Sequence, residues 1–92
     1  MNLFSCLEDK IIELELELVE SLQYSNEPNL SEAAIKMFLL SEELSDNFNF
    51  INNYKLHYNS FIYIQQLYSS KFIEQYGKEP VMFFSKLTNY YS

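Results

Sequence analysis

Apolar residues return every three or four positions along most of the chain. Phe4, Leu7, Ile11, Leu14, Leu18 and Leu22 form one such line, and at roughly 100° per residue they share a single helix face. Ile12, Leu16 and Val19 form a second seam beside it. These two seams predict a first helix over residues 2–24. Ser5 with Glu8 three residues later has the spacing of a capping box, which would start the regular helix only after Ser5. Residues 12–18 also alternate with period two, the signature of a strand. Helix is preferred, because the three-four seam continues on both sides and Leu, Glu and Lys are strong helix formers.

Ser, Asn and Pro28 interrupt the pattern at 25–29, so a loop is expected there. A second helix is predicted at 30–45, capped by Asn29 or Ser31, with Leu30, Ala33, Ala34, Met37, Leu40 and Leu44 on one face. Ile35, Phe38 and Leu39 fall off that face, which predicts contact with more than one neighbour. The Asn-rich stretch 46–53 reads as a connection, with Phe48, Phe50 and Ile51 tucked inward. A third helix then runs to Tyr76 and carries an aromatic stripe of Phe50, Tyr54, Tyr58, Phe61, Tyr68, Phe72 and Tyr76. Leu56, Tyr63, Ile64 and Leu67 cover its other side, the pattern of a central helix packed all round. Gly77 supplies a left-handed stop. Pro80 suits the first turn of a short fourth helix at 80–90, buried through Val81, Phe84, Leu87 and Tyr91. The expected fold is all-α: a small antiparallel bundle of about four helices, with Phe61, Tyr58, Phe72, Leu14, Leu18 and Met37 in its core.

Composition narrows this further. At 92 residues and 11.0 kDa, residues 1–92 make one domain, since so short a chain cannot furnish two cores. One Gly and two Pro leave little material for the turns of a many-stranded β fold. No apolar run exceeds four residues, so no membrane span is expected. Leu3-Phe4-Ser5-Cys6 resembles a lipoprotein cleavage box, but no hydrophobic segment precedes it, and neither does a basic start. A cytoplasmic location is the expectation.

The chemistry that can be sought by residue type is sparse. His57 and Cys6 are the single His and Cys, about 50 positions apart, and Glu8 and Asp9 disfavour a thiolate at Cys6. Ligand spacings for zinc or calcium are missing, so neither an enzyme nor a metal or other cofactor is expected. Glu8 and Glu15, seven apart, fall between the two seams of the first helix. Their heads are expected in water or on Lys71 or Lys86 of a neighbouring helix. Aromatics interleave with Lys55, Lys71, Lys78 and Lys86, yet at helical spacing that suits a core better than a stack of bases. All six bases are Lys and the net charge is −7, which disfavours nucleic acid as a partner.

Charge is also unevenly divided. Residues 1–46 hold 11 acids and two Lys, whereas residues 47–92 hold two acids and four Lys. Asp9, Glu13, Glu17 and Glu20 form a stripe opposite the main seam of the first helix, and Glu42, Glu43 and Asp46 close the second. Such a run is either a solvated face or an electrostatic docking surface for a basic protein. In size, charge and fold class the chain is similar to small acidic helical proteins that bind and silence another protein, such as toxin immunity proteins, antitoxins and phage-coded inhibitors. That likeness rests on no motif and assigns no residue. The expectation is a protein-binding inhibitor that uses these seven acids against a basic, nuclease-like partner. The alternative is an adaptor or subunit that packs an aromatic helix into a larger assembly.

Overall fold

A computed structural model of the chain describes residues 3–82, with side chains from residue 7 onward. Three helices and one short 3-10 turn carry them: α1 (Leu3–Tyr24), α2 (Leu30–Asp46), the turn Phe48–Phe50, and α3 (Tyr54–Tyr76). No strand occurs among the described residues, so the period-two stretch 12–18 is helical. Among the described residues there are three helices, against about four expected. Residues 79–82 are not helical, and the rest of the segment predicted at 80–90 lies outside the described residues.

The helix boundaries follow local chemistry. The Asn29 side chain accepts a hydrogen bond from Glu32 N at 3.0 Å, which satisfies one of the orphan donors of α2. The reciprocal half of the cap is absent, because the Glu32 carboxylate turns to Lys36 at 3.1 Å instead. At its other end, Asn47 Nδ2 donates to the Glu43 carbonyl at 3.0 Å and so satisfies a terminal acceptor. Gly77 takes the left-handed conformation (φ 71°) and its N–H closes on the Ile73 carbonyl, ending α3 as predicted. α1 differs. It begins at Leu3, so Ser5 lies inside the helix rather than capping it.

Side-chain partners fix the topology. Lys10 meets Glu43 and Glu17 meets Lys36, so α1 and α2 run antiparallel. Glu8 meets Asn52, Glu15 meets His57 and Gln23 meets Tyr63; partners ascend together, so α1 and α3 run parallel. Gln75 reaches the Pro28 carbonyl at 3.1 Å, joining the end of α3 to the start of α2. This is an up-down-up bundle in which each helix touches both others.

The core lies along the shared axis. Ile11, Leu18 and Leu22 of α1 meet Met37, Leu40 and Leu44 of α2 and Phe61, Ile64 and Tyr68 of α3. Phe61, Leu18 and Met37 are buried as expected, whereas Leu14, Tyr58 and Phe72 are only half-buried at the rim. A three-helix core is narrower than a four-helix one, so positions beside the central line stay at its edge. For the same reason α3 is not wrapped on all sides: Tyr54, Phe61 and Tyr68 are buried, but Phe50, Leu56, Tyr63 and Tyr76 are exposed. In the connection Ile51 is buried and Phe48 half-buried, with the Phe48 ring edge-on to Tyr54 at 4.5 Å. On α2, Ile35, Phe38 and Leu39 meet no described neighbour that buries them, contrary to expectation.

Ser41 and Ser45 are buried on α2, which the apolar pattern alone did not select. Their hydroxyls donate back to the Phe38 and Glu42 carbonyls, at 2.7 and 3.4 Å, and so carry no unmet polarity into the core.

Candidate functional site

The helical wheel places the acids of α1 on three different sides once the neighbours are known. Glu8 and Glu15 lie toward α3. Glu17 lies toward α2, while Asp9, Glu13 and Glu20, spaced by one turn and then two, point away from both. Their fates differ accordingly.

Toward α3, the Glu15 carboxylate straddles His57 Nδ1 at 3.0 and 3.2 Å, with the two side chains 12% and 6% exposed. Against an ionised Glu15 this contact requires the imidazole proton on Nδ1. Burial raises the Glu15 pKa above its ordinary value, and the hydrogen bond and charge of His57 only partly oppose that. The expectation that Glu15 keeps its head in water is therefore corrected: the parallel α1–α3 pairing puts His57 directly opposite. Glu8 likewise turns inward and accepts from Asn52 N at 2.9 Å, tying the connection to α1. Lys71 serves neither acid and lies 3.7 Å from Glu74 on its own helix; Lys86 is outside the described residues.

Toward α2, two of the seven acids predicted to bind a partner are already engaged. Glu17 and Glu32 share Lys36 at 3.4 and 3.1 Å. The Glu32 hydrogen bond, opposed by partial desolvation and reinforced by Glu17, raises the Lys36 pKa. Glu43 holds Lys10 at 3.0 Å and also accepts from Asn47 Nδ2 at 3.3 Å. These cross-links offset the unfavourable placing of acids at the α2 C-terminus. Glu42 is half-buried and Asp46 exposed on α2. The predicted seven-residue face is thus split. Only Asp9, Glu13 and Glu20 form an exposed crest that has no ion pair with a described residue.

Beside that crest lies a feature the sequence held without declaring. In the second seam of α1, Val19 is half-buried against the core, but no described residue covers Ile12 and Leu16. Ile12, Leu16 and Val19 line a shallow groove of about 420 Å³ with Leu56, Ser60 and Tyr63 of α3, and Leu16 and Leu56 are 63% and 61% exposed. A larger polar cleft of about 660 Å³ lies at the loop end, lined by Asn26, Glu27, Pro28, Glu74, Gln75 and Tyr76. Glu15 also lines the groove, but it is held by His57, and the Ser60 hydroxyl donates to the Leu56 carbonyl at 3.1 Å. No described side chain other than Glu15 hydrogen-bonds to His57, and no group of three metal-ligating side chains gathers among the described residues. No described helix is long and apolar enough to cross a membrane.

Comparison with protein-family models, with curated proteins and with solved structures finds no match to this chain.

Proposed function

We propose that the protein is a stoichiometric inhibitor that binds and occludes a basic protein, most naturally the immunity protein or antitoxin of a nuclease-like toxin. One observation carries this reading: Asp9, Glu13 and Glu20 stand exposed in a row with no ion pair to a described residue, while Glu17 and Glu32 share Lys36 and Glu43 holds Lys10. Carboxylates left unpaired on one ridge attract Lys and Arg of another surface, speed its approach and select its sign. On a nuclease, those Lys and Arg are the groups that would otherwise hold substrate phosphates, so pairing with them closes the site.

The test is association of the chain with a basic protein captured on it, measured at two salt concentrations. The variant Asp9→Asn/Glu13→Gln/Glu20→Gln should associate about tenfold or more slowly at low salt. Near 0.5 M salt, where the screening length is only about 4–5 Å, the two rates should converge. Equal rates at low salt overturn the reading.

An adaptor role has its own support in the exposed Ile35, Phe38 and Leu39 of α2, an apolar stripe of the kind buried in larger assemblies. Binding through that stripe would be nearly indifferent to salt, which separates the two readings in the same experiment.

A further inference from the structure

The groove between α1 and α3 has the pattern of a helix seat that no described residue fills. Ile12, Leu16 and Val19 stand at i, i+4 and i+7 on α1, and Leu56, Ser60 and Tyr63 repeat that spacing on α3. Because the two helices run parallel, the rows lie abreast and leave a valley between them. Knobs of a further helix fill such valleys in four-helix bundles, and two turns of α1, about 10 Å, match apolar residues three, four and seven apart on an incoming helix. The charge on the two walls is unequal. On α1, Glu13 and Glu20 directly follow the groove residues Ile12 and Val19, and Asp9 stands one turn before Ile12. On α3, the wall is formed by Asn59 and by Tyr63, whose hydroxyl donates to Gln23 at 3.2 Å, and its flank carries one exposed base, Lys55, directly before Leu56, against the three acids of α1.

We infer that this groove seats an amphipathic α-helix of the partner, with an apolar face against Leu16 and Leu56 and Lys or Arg along the flank that meets Asp9, Glu13 and Glu20. The inference rests on the reading of the protein as a binder of a basic partner and specifies how that partner is held. Charge selects this occupant over two others. A second copy of the chain brings its own net −7, and the ten residues after Met82 bring only one base, Lys86, to the three carboxylates Asp9, Glu13 and Glu20.

The test uses the full chain and two synthetic 18-residue helical peptides. One carries Leu on one face and Lys on the flank; in the other every Leu is Gln. Binding is read by fluorescence anisotropy and mapped by amide chemical shifts. The Leu/Lys peptide should bind at least about tenfold more tightly than the Gln/Lys peptide, as burial of two or three Leu implies. It should shift Ile12, Leu16, Leu56 and Tyr63. Leu16→Ser/Leu56→Ser should abolish that preference and leave the weaker Gln/Lys binding in place; both positions are exposed, and unchanged thermal unfolding will verify the fold. Equal affinity for the two peptides, with shifts confined to the crest, overturns the groove inference and leaves the acidic docking reading standing. Binding of the Leu/Lys peptide that is indifferent to Asp9→Asn/Glu13→Gln/Glu20→Gln at low salt overturns both. A dimer of the free chain that Leu16→Ser/Leu56→Ser dissolves, or nuclear Overhauser contacts from residues 83–92 to Leu16, assigns the groove to another occupant and overturns the inference.

Discussion

Phe61 sits at the meeting point of the three helices with 1% of its surface exposed, so its truncation empties space that no neighbour can fill. Phe61→Ala should cost about 3–5 kcal/mol in chemical denaturation. Phe72→Ala, at the rim, should cost less than half as much, because solvent already touches the site. Glu15 makes a different kind of contribution. Its pKa is raised in the folded state, so the native protein holds that proton more tightly than the unfolded chain does. Its contribution to stability is therefore fully present below the ordinary carboxylate pKa and is lost as pH rises through the raised value. Glu15→Gln keeps an acceptor for His57 Nδ1 and removes the buried charge. The melting temperature of the variant relative to wild type should accordingly climb as pH rises from 4.5 through the raised value. A difference that stays flat over that range would mean that the carboxylate is not penalised by its burial.

At the level of elements, the two ends that the chain marks most clearly are those with a single residue responsible. Asn29→Ala removes the acceptor for Glu32 N and should lower stability by about 1 kcal/mol. Gly77→Ala meets no atom within 4 Å of the new Cβ, so its cost is that of the left-handed backbone alone, about 1 kcal/mol. Urea unfolding of each variant reads both. The first helix illustrates the opposite case. Helix already spans both Ser5 and Glu8, and the Glu8 carboxylate accepts from Asn52 N across to the connection, so the Ser5–Glu8 spacing does not mark the start of α1.

For the molecule as a whole, the three described helices leave apolar surface that no described residue covers. Two separate stretches show this: the α1–α3 groove and the α2 stripe of Ile35, Phe38 and Leu39. The acidic crest beside the groove should make the fold itself sensitive to salt. Relieving repulsion among Asp9, Glu13 and Glu20 by neutral substitution should raise the melting temperature slightly at low ionic strength, with the gain shrinking as salt is added. A fall in melting temperature would show that these carboxylates are held by bonds of the fold and not left free for a partner.

The sequence by itself determined that the described residues are helical, where their loops fall, and which line of α1 and of α2 is most buried; on α3 only Tyr54, Phe61 and Tyr68 of the aromatic stripe are buried, with His57 and Ile64 beside them. It did so because three-four periodicity, Asn29 and Gly77 act within a few residues of themselves. It also marked both seams of α1 and all seven candidate acids. Which seam would be covered, and which acids would remain unpaired, was decided only when α3 came to lie parallel to α1 and α2 antiparallel to it. That arrangement set His57 against Glu15, Lys36 against Glu17 and Lys10 against Glu43, pairs separated by 42, 19 and 33 positions. Nothing local links such residues. Charge neutralisation across a bundle depends on helix direction and register, and these are set by how whole apolar faces fit together.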